Sequence, residues 1–233
     1  GQNGILERSP SRGHGDGDKS QDTAQEKLIK SYVKGLWSRT KSTRKPRARD
    51  KVEDHLVGDM IQLSDSFGLP PRLRDQQFRV IGIVTYQFEH EFQTTFNLEG
   101  INDDHLDLTI NNEAGRQSAA FSLSVDQSLV EQIFDMYGFS QVFDGDALAR
   151  FSASKHEGFE HWLADDYQQE IRAERGYFHN QDCRAGGPSK FDGDGEAFDY
   201  YFLVTPDRTH GVEIEVYGGG ETEVSLTIFR PVT

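Results

Sequence analysis

The chain has 233 residues, 35% of them apolar, with a formal net charge of -14 and a mean hydropathy of -0.69. That length suits one large domain or two small ones, and so low an apolar fraction predicts that part of the chain stays unpacked. No run approaches the roughly 18 apolar residues of a membrane-spanning helix, the single Cys183 excludes an internal disulfide, and the polar, Gly-rich opening has no signal-peptide pattern, so a cytoplasmic protein is expected.

The net charge conceals a division. Residues 1–51 hold 13 Lys/Arg against 6 Asp/Glu, a net of +7, whereas residues 52–233 hold 12 against 33, a net of -21. Such asymmetry marks a basic arm on an acidic body.

Residues 1–24 mix Gly, Ser, Asp and Arg without periodicity and are expected to be disordered. Over 26–38 the pattern turns helical. Leu28, Ile29, Tyr32, Val33, Leu36 and Trp37 fall on one face, with Lys30 and Lys34 elsewhere on the same helix, and Thr23 with Glu26 fits a capping box. A basic run follows, comprising Arg39, Lys41, Arg44, Lys45, Arg47 and Arg49, and Pro46 argues against a continuous helix there.

From Val57 onward the residues are those of strands. VGDMIQL is a short strand candidate, and FRVIGIVTYQF (78–88) is rich in β-branched and aromatic residues. EFQTTFNLEG, HLDLTINN and SAAFSLSV follow at hairpin spacing, which predicts a compact antiparallel sheet or small barrel. Residues 126–137 read as a short helix or a crossing segment, VFDGDALARFSAS as a hairpin turning at 144–146, and GFEHWLADDYQQEIRAE as an amphipathic helix or a strand pair, with strands over 159–164 and 167–173 the favoured reading. AFDYYFLVT, GVEIEVYG and TEVSLTIFRP alternate at period two and predict a closing three-stranded meander. The expected fold is therefore mainly β, built of antiparallel sheets or small barrels, with a basic amphipathic N-terminal helix after a disordered tail. Residues 52–125 form a first β-rich subdomain, and residues 126–233 a second ending in the meander.

Val57, Gly58, Asp59, Val80, Gly82 and Tyr86 give this region a motif in which a VGD strand leads into a strand of the form yrVvG.vry. In this, residues 57–110 resemble the DUF4178 family of uncharacterised bacterial β-domain proteins. The resemblance implies a non-catalytic accessory module.

Few residues suggest chemistry. His179, Asp182 and Cys183 fall within one short loop, the set from which a nucleophilic cysteine with a neighbouring base would be assembled; they give the alternative of a hydrolase or metal-dependent enzyme. Backbone anchoring explains the same residues. His156 and His161 are five residues apart where a zinc-protease helix needs four, so no metal is expected there. Asp192, Asp194 and Glu196 alternate in a Gly-rich loop, but the sixth and twelfth positions of a calcium loop counted from Asp192 hold Ala197 and Leu203. No cofactor, metal or small-molecule substrate is indicated.

The expected function is a non-enzymatic accessory or adaptor protein. Its acidic body would bind a protein partner, and the arm from Leu28 to Arg49 would meet an anionic membrane surface, peripheral at the inner membrane, or an acidic partner, unless its apolar face docks on the protein's own acidic core. Nucleic acid is the weaker alternative, because the -21 body repels a polyanion.

Overall fold

The structure, a computed structural model, describes residues 51–232 apart from 102–103, 114–115, 145–146, 189–190 and 192–193. The expected helix over 26–38, the basic run and the tail before them lie outside these residues.

The protein is mainly β, as its period-two segments require. Its strands are β1 (Met60–Gln62), β2 (Gln77–Gln87), β3 (Phe92–Glu99), β4 (His105–Glu113), β5 (Arg116–Val125), β6 (Arg150–Ser152), β7 (Asp166–His179), β8 (Glu196–Val204), β9 (His210–Tyr217) and β10 (Thr222–Pro231). Between β5 and β6 lie two short helices, α1 (Gln127–Ile133) and α2 (Met136–Ser140). Asp126 caps the first by accepting from the Leu129 N–H at 2.8 Å, and Asp135 caps the second by accepting from Gly138 at 2.8 Å.

Every pairing is antiparallel, in the order β1-β2-β3-β4-β5-β10-β9-β8-β7-β6. A further pairing joins β2 to β7, matching Thr85 with His179, Tyr86 with Phe178 and Gln87 with Tyr177. It closes the strands from β2 round to β7 into a barrel, with the short β1 and β6 appended beside the seam. The two halves repeat one plan of a short strand followed by four long ones. The register of β2 slips between Val80 and Gly82, and that of β7 slips at the corresponding place, between Gln169 and Ile171.

Closure decides which face of each strand is inside. Tyr86 on β2 interacts electrostatically with Glu223 on β10, which is diametrically opposite in the ring of strands, and with Asp107 and Glu215. These residues therefore face one another across the lumen. The residues that alternate with them, including Leu106, Leu108, Phe121, Val212, Ile214, Leu226 and Ile228, point outward. That outer face is covered by the segments around β1 and between β5 and β7: Leu63, Leu69, Leu73, Ile133, Phe134, Phe139 and Trp162 join the same buried cluster. The main apolar core thus lies between the barrel and its wrapping, and the lumen holds polar and aromatic side chains.

Two local expectations need correction. Residues 159–164 form a turn, in which the Trp162 N–H donates to the Phe159 carbonyl at 2.8 Å and the Trp162 ring packs into the core. The turn of the expected hairpin at 144–146 lies partly outside the described residues, and its flanks do not pair with each other: Val142 and Phe143 close the turn after α2, and β6 pairs with β7. Residues 126–137 resolve into α1 and the start of α2, and the three closing segments are β8, β9 and β10 in the expected meander. Among the described residues no helix is long and apolar enough to cross a membrane.

Candidate functional site

The lumen holds the unusual chemistry of the molecule. On β9, Glu213 and Glu215 both point inward, as do Asp107 on β4 and Glu223 on β10. Glu215 and Glu223 are direct cross-strand partners. Like charges placed so oppose each other at close range.

Asp107, Glu213 and Glu215 each accept a hydrogen bond from a side chain of the wall. Glu213 accepts from the Thr227 hydroxyl at 2.6 Å and the Tyr200 hydroxyl at 3.2 Å, and Ser122 bonds Thr227 at 2.8 Å. Asp107 accepts from the Asn97 amide at 2.7 Å, and Glu215 from the Tyr217 hydroxyl at 2.5 Å.

Burial pushes Glu213 above the usual carboxylate range, and its hydrogen bonds to Thr227, Tyr200 and Ser122 pull it partly back. Glu215 is driven up to about 8, chiefly by burial; the Tyr217 bond opposes the rise, while Glu223, Glu213 and Asp107 add to it. Asp107 and Glu223 are also raised, burial first in both. Burial and these carboxylates keep the Tyr86, Tyr200 and Tyr217 phenols protonated.

Aromatic rings form the other wall. Tyr86 meets Phe198 at 5.8 Å, Phe198 meets Tyr217 at 5.6 Å, and Phe88 meets Tyr200 at 5.4 Å. Gly176 makes this possible, because the Phe198 ring lies directly against its Cα.

A cavity of about 860 Å³ opens at the end of the barrel where β4 ends and β9 begins. Tyr200, Glu213, Phe202, Thr109 and Ala120 line it on the lumen side, and Arg116, Asp207, Arg208 and Glu170 stand at its mouth. Arg208 grips Glu170 through two contacts of 2.6 and 2.9 Å, fixing one side of that rim.

The sequence-derived candidates lie elsewhere. His179 Nε2 contacts the Gln87 side chain at 2.9 Å, both residues being buried beside the β2–β7 seam. Asp182 is held by Arg184 at 2.6 Å, which keeps its carboxyl below the usual range. Cys183 is buried, and its N–H donates to the Thr85 hydroxyl at 3.1 Å. The three thus engage three different partners on the outer side of the barrel, away from the lumen. His156 contacts Gln132 at 3.2 Å, Asp194 is exposed, and no cluster of three metal-ligating side chains occurs among the described residues. Leu28, Ile29, Tyr32 and the rest of the arm's candidates lie outside the described residues.

Sequence reading missed Asp107, Glu213, Glu215 and Glu223. Their alternation with Leu, Val and Ile reads equally as the wet face of an open sheet. The available signal was Tyr86, Tyr200 and Tyr217 in phase with those acids, because aromatic rings belong on an enclosed face.

The fold and the site define a closed antiparallel β-barrel with an acidic, aromatic-walled lumen. No protein-family model matches the chain, and no curated protein or solved structure does so either.

Proposed function

We propose that the protein is a non-enzymatic binding protein whose barrel takes up a small molecule through its open end. The observation that carries this reading is the 860 Å³ cavity leading inward to Glu213 and Tyr200. Its size falls in the range of small-molecule sites, which bury most of a ligand against apolar walls with a few placed polar groups. Phe202 and Ala120 supply apolar wall here, and Glu213, Tyr200 and Thr109 the polar groups. The basic arm gives the barrel a means of attachment, to an anionic membrane surface or an acidic partner, in keeping with its +7 charge.

Thermal-shift screening of the full chain against small metabolites of every charge class tests the reading. At least one class should raise the melting temperature of the wild type, and Ala120→Trp, which fills the cavity from its wall, should remove that response. Absence of any stabilising compound would overturn the reading. Co-sedimentation with anionic vesicles, with and without residues 1–51, tests the arm; equal binding of both forms would refute its role.

A further inference from the structure

A second, smaller cavity of about 220 Å³ lies toward the other end of β4 and β5, away from the mouth of the lumen. Trp162 walls it, with Arg72 from the turn Pro71–Leu73, Asp104 and Leu106 at the start of β4, and Leu123 near the end of β5.

The wall carries a hydrogen-bond donor that the fold leaves unused. Trp162 is 1% exposed, and its indole Nε1 is one of two buried side-chain polar atoms without a partner among the described residues. The other, Arg172 Nε, belongs to a guanidinium that already donates to Gln169 at 3.1 Å, and Arg172 lines neither cavity. Buried donors are paired as a rule, because an unmade bond does not replace the water given up on burial. An orphan N–H in a side chain that walls a cavity marks the place of an acceptor brought by a ligand.

Two opposite charges flank that side chain. The Arg72 guanidinium sits over the Trp162 ring, 5.8 Å from its centroid. Stacking steadies the guanidinium and leaves its N–H edge for an acceptor, and no hydrogen bond or ion pair among the described residues uses it. The Asp104 carboxyl is likewise unpaired among them, and the two groups do not pair with each other.

We propose that this cavity binds a free α-amino acid with an apolar side chain. The ligand's carboxylate accepts from the Trp162 indole and from Arg72, its ammonium pairs with Asp104, and its side chain lies on Leu73, Phe78, Leu106 and Leu123.

Each simpler ligand leaves part of the site unmatched. A plain carboxylate would satisfy Trp162 and Arg72 but meet Asp104, and a plain amine would pair with Asp104 but leave both donors empty. A residue inside a peptide carries neither backbone charge. Against the leucines and Phe78, a polar side chain would lose its water without return. Size agrees, since a cavity of about 150 Å³ accepts benzene and sites for drug-sized molecules begin at about 300 Å³. His105 and Ser124, both exposed, add further polar groups at the edge. The site is separate from the lumen and stands whether or not the barrel takes up a ligand of its own.

Isothermal titration of the full chain with L-leucine, isovalerate and isopentylamine tests the assignment, the last two each lacking one of leucine's charges. Leucine is expected to bind at one site, and each analogue roughly tenfold or more weakly. Trp162→Phe keeps a ring but removes the N–H and should weaken leucine several-fold. Arg72→Gln should weaken leucine and isovalerate together. Asp104→Asn should weaken leucine and tighten isovalerate, a reversal that a merely structural role would not produce. Circular dichroism checks folding, and Arg72→Gln and Asp104→Asn carry the test if Trp162→Phe fails to fold. No saturable heat from leucine at millimolar concentration would overturn the proposal, as would equal affinity for leucine and isovalerate. Leucine binding unchanged in both Arg72→Gln and Asp104→Asn would place it elsewhere on the chain and overturn it too.

Discussion

Burial beside Glu223, Glu213 and Asp107 raises Glu215 from 4.5 to about 8, so over that interval the folded barrel holds a proton that the unfolded chain releases. Below about pH 4.5 both states are protonated, and the stabilising contribution is fully present. As pH rises through the folded value it is lost, the full swing being of order a few kcal/mol at 1.36 kcal/mol per unit. Glu213, Asp107 and Glu223 are raised as well and act in the same direction. Asp182 and Asp207, whose pKa values are lowered, titrate below this window, and His210, lowered chiefly by burial, opposes the trend only in the part of the window below its ordinary value of 6.5, against four raised carboxyls. Thermal unfolding should therefore show a higher melting temperature near pH 5 than near pH 8.5. Glu215→Gln should be the more stable protein at the alkaline end and lose much of the slope. A wild-type melting temperature that climbs steadily over this range would contradict the placement of these carboxyls in the lumen.

At the level of single strands, β7 is shaped by what lies on it. A Cβ at Gly176 would overlap the Phe198 ring, which is itself hemmed in by Phe88 at 5.9 Å, Tyr86 at 5.8 Å and Tyr217 at 5.6 Å. With the ring unable to yield freely, Gly176→Ala should cost about 1–3 kcal/mol, and a compensating Phe198→Leu should recover part of it. Gly218→Ala is the control: its Cβ would meet nothing within 4 Å, and the change should stay within about 0.5 kcal/mol. Urea midpoints of the three variants check this. The strands themselves were legible because period-two alternation is a local property; β2 and the β8–β10 meander follow it almost residue by residue. The 159–164 turn was not, because Phe159 and Trp162 are apolar for the sake of covering the sheet, and that burial looks the same in sequence as a strand's. The lumen was least legible. Alternation states that β4 and β9 each have an acidic face, and only a pairing between residues some 90 positions apart determines that those faces are enclosed.

Closure of the whole barrel depends on two joins of unequal extent. The β5–β10 join runs from Val125 opposite Val224 to Ser118 opposite Pro231, whereas the β2–β7 join comprises only the pairs from Thr85–His179 to Gln87–Tyr177. Side chains reinforce the short one. The Thr85 hydroxyl donates to the Gln181 carbonyl at 3.0 Å and accepts from the Cys183 N–H at 3.1 Å, and Gln87 meets His179 at 2.9 Å. His179 and Cys183, which in sequence resemble parts of a catalytic set, thus serve to hold the barrel shut. A join so short is the segment expected to open first in local fluctuations. Amides of residues 85–87 and 177–179 should accordingly exchange with solvent sooner than those of the central β5–β10 pairs around Leu123 and Leu226. Thr85→Val keeps the side-chain shape but leaves the Gln181 carbonyl and the Cys183 N–H unpaired, at a cost of about 2–4 kcal/mol. Because the lost contacts lie at the seam alone, exchange there should accelerate well beyond any change at Leu123 and Leu226. Uniform acceleration across both joins would mean that the barrel opens only by global unfolding, and that the short pairing is no weaker than the long one.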